Sequence, residues 1–166
     1  SHRFMAVILA IFLFGGVGAC GFQPLHSQLG GADSARLSGI LVLPIVDRKG
    51  QLLSNLLRDR LTPHGVPKRP TYILSVKLSE HKESLGVRID ESATRANLKI
   101  TAAFTLSAAP PGKFAMSGRA ESTSSFNILD SSFATLAAEN DARARSLRVI
   151  SDQIKSRVSI FLGRRS

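Results

Sequence analysis

Three stretches with alternating apolar and polar side chains constrain the fold more than any other feature of the chain. Residues 71–79, 96–106 and 113–127 place apolar side chains at nearly every second position, which is typical of half-buried strands. Residues 109–112 (APPG) form a clear turn between the last two strands. The polar residues 80–95 are expected to continue the strand ends around a hairpin near Gly86. The sequence therefore predicts an antiparallel meander.

A further strand and a first helix precede the meander. Residues 36–46 are rich in Ile, Leu and Val, as in a buried strand, and Pro44 marks its end because proline cannot donate to a ladder. A polar turn is predicted at residues 47–50. Residues 51–62 then carry leucines at helical spacing and end before Pro63. The predicted apolar stripe consists of Leu52, Leu53, Leu56, Leu57 and Leu61.

A second, longer helix is predicted over residues 131–162, with Ser131 or Ser132 as its cap and Gly163 at its end. Asn140 within its stripe is compatible with a buried polar contact or with a rotation of the apolar face. The stripe consists of Phe133, Leu136, Ala137, Asn140, Ala144, Leu147, Ile150, Ile154, Val158 and Phe161.

These elements predict an α+β fold, because the apolar face of a sheet must be covered. We expect a two-layer sandwich in which two helices pack on one face of a four-stranded, mostly antiparallel sheet. The uncovered face should be polar and basic. Its predicted members are Ser75, Lys77, Lys99, Thr101 and Arg119.

The segment before the domain has the pattern of a lipoprotein export signal. Residues 5–14 are uniformly apolar behind Arg3, and this run is shorter than the roughly 20 apolar residues that span a bilayer. Small residues precede Cys20, the only cysteine, as lipoprotein signal peptidase requires. Cys20 is therefore predicted to become an acylated N-terminus; a secretory signal that is cut elsewhere is the alternative. The predicted organisation is a signal peptide at 1–19, a lipidated tether at 20–35 and one domain at 36–163.

The charge of the chain indicates an anionic partner. The 166 residues carry a net charge of +10, which favours nucleic acid, phospholipid or a phosphorylated glycolipid. Export argues against nucleic acid, and the chain also lacks tryptophan and has one tyrosine, so aromatic stacking platforms are few. With Cys20 acylated, no cysteine remains for a disulfide.

Motifs for catalysis or metal binding are absent from the sequence. His26, His64 and His81 have no carboxylate or cysteine at ligand spacing. Ser79-Glu80-His81-Lys82 formally matches a serine acyl-enzyme motif, but it lies on a strand and lacks the companion motifs. We therefore predict no enzyme activity, no metal and no cofactor.

Three stretches resemble one family of lipoproteins. Residues 20–25 (CGFQPL), 86–98 (GVRIDESATRANL) and 133–154 (FATLAAENDARARSLRVISDQI) resemble the lipopolysaccharide-assembly lipoprotein family LptE, in particular its alphaproteobacterial branch. The resemblance extends over most of the chain after Cys20. It implies two helices on a four-stranded sheet.

The resemblance also implies a function and a location. Members of the family are outer-membrane lipoproteins that face the periplasm. They act as plug and assembly subunit inside the β-barrel LptD and help deliver lipopolysaccharide to the outer leaflet. The residue after Cys20 is Gly21 and not Asp, which by resemblance to enterobacterial sorting implies the outer membrane.

Lipopolysaccharide binding by basic residues is the remaining implication. We expect Arg88, Arg95, Lys99 and Arg119 on or near the polar side of the sheet, where they would meet lipid A phosphates. Simple solvation of each residue is the alternative. Arg143, Arg145 and Arg148 on the second helix form the next basic cluster.

Two other classes of function compete with this one. The first is another binding or scaffold lipoprotein that faces the periplasm. The second is a hydrolase without a recognisable motif.

Overall fold

The elements of the computed structural model follow the predicted order. The structure describes residues 36–85, 94–109 and 113–164. Within them the strands are β1 (Ile40–Val42), β2 (Tyr72–Leu85), β3 (Thr94–Ala108) and β4 (Lys113–Ile128), and the helices are α1 (Arg48–Leu61) and α2 (Ser132–Gly163). The predicted α+β class is confirmed.

The sheet has the order β1-β2-β3-β4. β1 runs parallel to β2, with α1 as the connection, and β2, β3 and β4 form the predicted antiparallel meander. β1 is shorter than the predicted strand over 36–46. Its pairing ends at the Leu43 N–H, which donates to the Leu74 carbonyl at 3.0 Å, because Pro44 has no N–H to continue the ladder.

The core lies on one face of this sheet. Alternate residues of β2 and β3 are buried, from Leu74 to Val76 and from Ala96 to Leu106. α2 packs against β3 and β4, while α1 packs against β1 and α2. Phe104 lies opposite Gly118 on β4, where an added Cβ would come within 2.6 Å of its Cζ. The ring thus occupies the space that a larger residue at 118 would need.

The start and the apolar stripe of α1 differ from the prediction. Residues 48–50 belong to the helix and not to a turn. The residue directly before the helix is Asp47, which has a φ of 74°. Leu53, Leu57 and Leu61 are buried, whereas Leu52 is 45 % exposed. The five predicted leucines cover a wider part of the helix surface than the part that contacts β1 and α2. Leu52 therefore lies outside the contact, and Leu56 is only partly buried.

The first ten residues of α2 also depart from the prediction. Ser131 caps the helix by accepting the Ala134 N–H at 3.4 Å, and the helix ends at Gly163 as predicted. Its buried residues begin only at Ala142. Phe133 is 82 % exposed, and Asn140 is exposed and accepts a bond from Arg143 Nη1 at 2.7 Å. A 32-residue helix is about 48 Å long, and its first turns extend beyond the packed layer.

A bulge near the start of β4 changes one further prediction. Leu106 pairs with Met116 but Ser107 pairs with Phe114, so Ala115 is an extra residue. The bulge exchanges the two faces of the sheet for the residues of β4 that precede Ala115. Phe114 is therefore 67 % exposed and does not share the apolar face.

Candidate functional site

The uncovered face of the sheet carries the polar residues predicted for it. Ser75, Lys77, Lys99 and Arg119 are exposed and Thr101 is half-buried. No described helix packs over their side of the strands, since the core lies on the other side. We refer to this side of β2, β3 and β4 as the open face.

Arg95, Lys99 and Arg119 form a stripe along the open face and do not converge on one point. Arg95 and Lys99 are four residues apart on β3, which is about 13 Å. Ala103 lies a further four residues along β3, and it pairs with Arg119 of β4 on one side and with Lys77 of β2 on the other. The spacing exceeds the Debye length of about 8 Å at physiological salt. The stripe therefore suits an extended anionic surface better than one small anion.

The three residues differ in how far their charge is already neutralised. Lys99 Nζ lies 3.2 Å from Glu121 Oε2, diagonally across β3 and β4. Arg95 and Arg119 are exposed and form no salt bridge among the described residues. These two arginines, together with the exposed Lys77, thus present the available charge. Cys20 and Arg88 lie outside the described residues.

The outer edge of β4 is covered by polar side chains of α2. The Gln153 amide accepts the Glu121 N–H at 3.3 Å and donates to the Glu121 carbonyl at 3.1 Å. Arg157 donates to the Arg119 carbonyl, and Arg145 donates to the Ser125 carbonyl at 3.4 Å. An uncovered edge is a template for pairing with another strand. These bonds block strand pairing at Arg119, Glu121 and Ser125 of β4.

A charged cleft, which the sequence analysis missed, lies between both helices and β2. It has a volume of about 550 Å³ and is lined by Asp47, Arg48, Lys49, Leu52, Glu80, Asn140 and Arg143. The Arg143 guanidinium binds both oxygens of Glu80, with two distances of 2.9 Å, and it reaches Glu139 Oε1 at 2.7 Å.

Two lysines complete this network. Lys49 Nζ lies 3.6 Å from Glu80 Oε2, and Lys82 Nζ lies 3.1 Å from Glu139 Oε2. Hydrogen bonds from Arg143 hold the pKa of Glu80 below its ordinary value, and the lysine charge adds to this effect. Partial burial raises the pKa of Glu139, but Arg143 and Lys82 outweigh it, so the net shift is downward. The two carboxylates in turn raise the pKa of Arg143.

The sequence contained one signal for this cleft. Glu80 continues the inward register of Leu74, Val76 and Leu78 on β2, so a charge stands where the alternation calls for an apolar side chain. Its partners come from α1 and α2, and no local pattern connects them to β2. Glu80 and Glu139 together bind Lys49, Lys82 and Arg143. The network therefore joins α1, α2 and β2 and keeps one positive charge in excess.

The basic cluster on α2 is mostly occupied. Arg143 belongs to the cleft, and Arg145 pairs with Asp141 one turn earlier. Arg148 is exposed and forms no salt bridge among the described residues. Of this cluster, Arg148 alone therefore keeps a charge that no described carboxylate neutralises.

The described residues also bear on metal binding and on membrane insertion. They contain no group of three or more histidine, cysteine, aspartate or glutamate side chains placed to hold a metal ion. No helix in the same ranges is both long and apolar enough to cross a membrane.

Comparison with solved structures shows that the fold occurs among bacterial lipoproteins. A candidate lipoprotein from Caulobacter crescentus is 23 % identical with a TM-score of 0.65, and the match covers 81 % of this chain and 98 % of that chain. Rare lipoprotein B from Shewanella oneidensis is 15 % identical with a TM-score of 0.60, over 76 % and 98 %. A minor lipoprotein from Acinetobacter baumannii is 17 % identical with a TM-score of 0.57, over 75 % and 94 %.

These similarities define a fold and not a family. No family profile and no curated protein matches the chain. The chain is thus similar in structure to lipoproteins of three bacteria, at identities that establish the fold alone.

Proposed function

We propose that the chain is an outer-membrane lipoprotein, anchored through Cys20, that serves as plug and assembly subunit of a lipopolysaccharide translocon with the β-barrel LptD. The observation that carries the proposal is the open face, a polar surface of three long strands that no described element covers. Such a face can stand against the lumen of a barrel, because that lumen is itself polar. The fold shared with lipoproteins and the sequence resemblance to the LptE family support the same assignment.

In this proposal the open face also meets lipopolysaccharide. Arg95 and Arg119 offer forked donors that match phosphate oxygens, and neither is paired with a described carboxylate. Lys99 contributes less because Glu121 already neutralises it. Arg88 stays a candidate from the sequence alone. No catalytic step and no cofactor form part of the proposed role.

The edge of β4 is relevant to an assembly subunit. A lone sheet that enters a β-barrel could pair with an unfinished strand of its partner. The bonds from Arg145, Gln153 and Arg157 to the β4 backbone oppose such pairing. The proposed contact with the barrel therefore uses side chains of the open face and not strand addition at β4.

An affinity purification tests the partner. The lipidated protein is captured from outer membranes in mild detergent, and the co-purifying proteins are identified by mass spectrometry. Recovery of LptD in a stoichiometric complex is expected, together with reduced amounts of assembled barrel in a deletion strain. A stable monomer and normal barrel levels would instead favour a scaffold lipoprotein that faces the periplasm.

A binding titration tests the open face. The variant Arg95→Ala/Arg119→Ala is compared with Arg148→Ala/Lys155→Ala, which removes the same charge from an exposed side of α2. Lipopolysaccharide binding should weaken in the first variant by about tenfold or more, since each charged hydrogen bond contributes about 1.5–3 kcal/mol. Equal affinities of the two variants, with unchanged circular dichroism, would remove the open face from the proposal.

A further inference from the structure

One end of the sheet gathers four segments of the chain, which we call the tether end. Gly39 N–H donates to the Arg36 carbonyl at 3.3 Å, and Thr71 N–H donates to the Gly39 carbonyl at 2.8 Å. Ala109 N–H donates to the Thr71 carbonyl at 2.9 Å. Arg36 Nη1 donates to the Leu162 carbonyl at 3.4 Å. Four parts of the chain therefore lie together: the first described residues, the loop 62–71, the end of β3 and the C-terminus of α2.

The tether end is basic. Lys68 and Arg69 lie in the loop 62–71, Lys113 begins β4, and Arg164 follows α2; all four are exposed. None of them forms a salt bridge among the described residues. α1 contains one acidic residue, Asp59, and it forms no salt bridge with any of the four. This end thus presents four uncompensated positive charges.

Exposed apolar side chains accompany these charges. Val66 is 63 % exposed in the loop 62–71, and Phe114 is 67 % exposed next to Lys113. The bulge at Ala115 turns Phe114 out of the core face, so its exposure follows from a specific backbone feature. Apolar side chains beside unpaired cations are typical of surfaces that lie in a lipid interface.

The opposite end of the sheet provides an internal comparison. Phe133 is 82 % exposed and Leu136 is 55 % exposed there, so apolar exposure alone does not distinguish the two ends. Asp130 precedes Phe133, however, and the α2 residues that follow include Glu139 and Asp141. Arg143 and Lys82 bind Glu139 and Arg145 binds Asp141, so the charges at this end largely cancel. The four cations of the tether end have no described carboxylate partner, and anionic lipids should therefore be attracted more strongly to the tether end. If Cys20 carries a lipid, Arg36 is the described residue nearest to that anchor in sequence.

We propose that the tether end is a second membrane contact, in which Lys68, Arg69, Lys113 and Arg164 meet anionic phospholipid headgroups while Phe114 and Val66 enter the interface. The orientation part of this proposal depends on the proposed lipidation of Cys20; the binding surface itself does not. The contact fixes which end of the domain faces the leaflet. The acyl chains alone would limit how far the domain lies from the membrane but not which end faces it.

The first test measures binding without the lipid anchor. The chain from residue 20 onward with Cys20→Ser contains the whole described core, which runs from Leu37 to Leu162. Its flotation with phosphatidylcholine vesicles is compared with flotation on vesicles that also contain phosphatidylglycerol, at low and high salt. Binding is expected only to the anionic vesicles and should weaken as salt rises. Absence of binding to both vesicles, or equal binding to both, would overturn the proposal.

Matched charge reversals locate the surface. Lys68→Glu/Arg69→Glu should weaken binding to the anionic vesicles by at least about tenfold, since each basic residue near such a surface contributes about fivefold. Arg148→Glu/Lys155→Glu changes the net charge equally at exposed positions of α2 outside the tether end, and should reduce binding far less. An equal loss in both variants would show that only net charge matters, which contradicts a defined contact.

A second test reports orientation in the lipidated protein. Because Cys20 is the only cysteine, Phe114→Cys and Phe133→Cys each provide a single thiol for an environment-sensitive dye. Brominated phosphatidylcholine in the vesicles should quench the dye at residue 114 and not at residue 133. Equal quenching, or stronger quenching at 133, would refute the orientation. Both tests use vesicles that contain neither lipopolysaccharide nor LptD, so their failure would leave the proposed translocon role to its own experiments.

Discussion

Gly50→Ala in the first turn of α1 separates helix propensity from tertiary packing. Gly50 is buried and lies inside the helix, near its start. In an exposed helix, alanine is more favourable than glycine by about 1 kcal/mol. Local sequence reasoning therefore predicts that this substitution raises stability.

The structure predicts the opposite sign. A Cβ at residue 50 would lie 2.7 Å from Ile45 Cγ2, 2.8 Å from the Ile45 carbonyl oxygen and 2.9 Å from the Ile45 carbonyl carbon. Two of these atoms are backbone and cannot rotate away, so the segment before α1 must shift. Overpacking of this kind costs about 1–3 kcal/mol. After the propensity gain, the expected net loss is about 1 kcal/mol, or roughly 3–5 °C in Tm for a domain of this size.

Urea and thermal unfolding followed by circular dichroism measure this change. Gly163→Ala is the matched control, because a Cβ there meets no atom within 4 Å. It should leave Tm nearly unchanged. If Gly50→Ala is as stable as the wild type or more stable, the close approach of Ile45 to α1 does not exist as described.

Three further predictions concern the core, the cleft and the anchor. Leu57→Ala should lower the free energy of unfolding by about 2–5 kcal/mol, because Leu57 is fully buried, and Leu52→Ala should cost under about 1 kcal/mol in the same urea titration. Arg143→Met should destabilise the fold at neutral pH. The difference from wild type should shrink as pH falls below 4.5, the ordinary pKa of the Glu80 carboxyl. A carboxyl whose pKa is lowered by folding stabilises the fold fully above its ordinary pKa and loses this contribution as pH falls through its folded-state pKa. Cys20→Ser should abolish incorporation of labelled palmitate and leave the protein unprocessed.

Each of these predictions has a result that contradicts it. Equal losses for Leu57→Ala and Leu52→Ala would mean that the buried side of α1 is wrong. A destabilisation by Arg143→Met that stays constant from neutral to acidic pH would show that its bonds to Glu80 and Glu139 contribute nothing that titrates. Palmitate on the Cys20→Ser protein would exclude Cys20 as the acylated residue.

The order and type of the elements could be predicted from the sequence because each depends on local periodicity. Alternation along β2, β3 and β4 and the three-to-four spacing of Leu53, Leu57 and Leu61 are properties of short segments. Turn residues such as Pro44 and Gly163 also act locally. The face that carries Lys77, Lys99 and Arg119 could be inferred for the same reason, since strand period alone assigns a residue to one side of a sheet.

The remaining features depend on which segments meet. One extra residue, Ala115, places Phe114 on the open face. Residues 113–116 contain no pattern that predicts this bulge, because a bulge is defined by the pairing with the partner strand. Leu52 and Phe133 fit their helical stripes but lie exposed, since the width and length of the covering layer are set by the neighbouring elements. Glu80 and Arg143 are 63 residues apart in the chain, and only the packing of α2 against the sheet brings them together. Periodicity assigns side chains to faces, whereas contact between faces decides which of those side chains are buried, paired or free to bind.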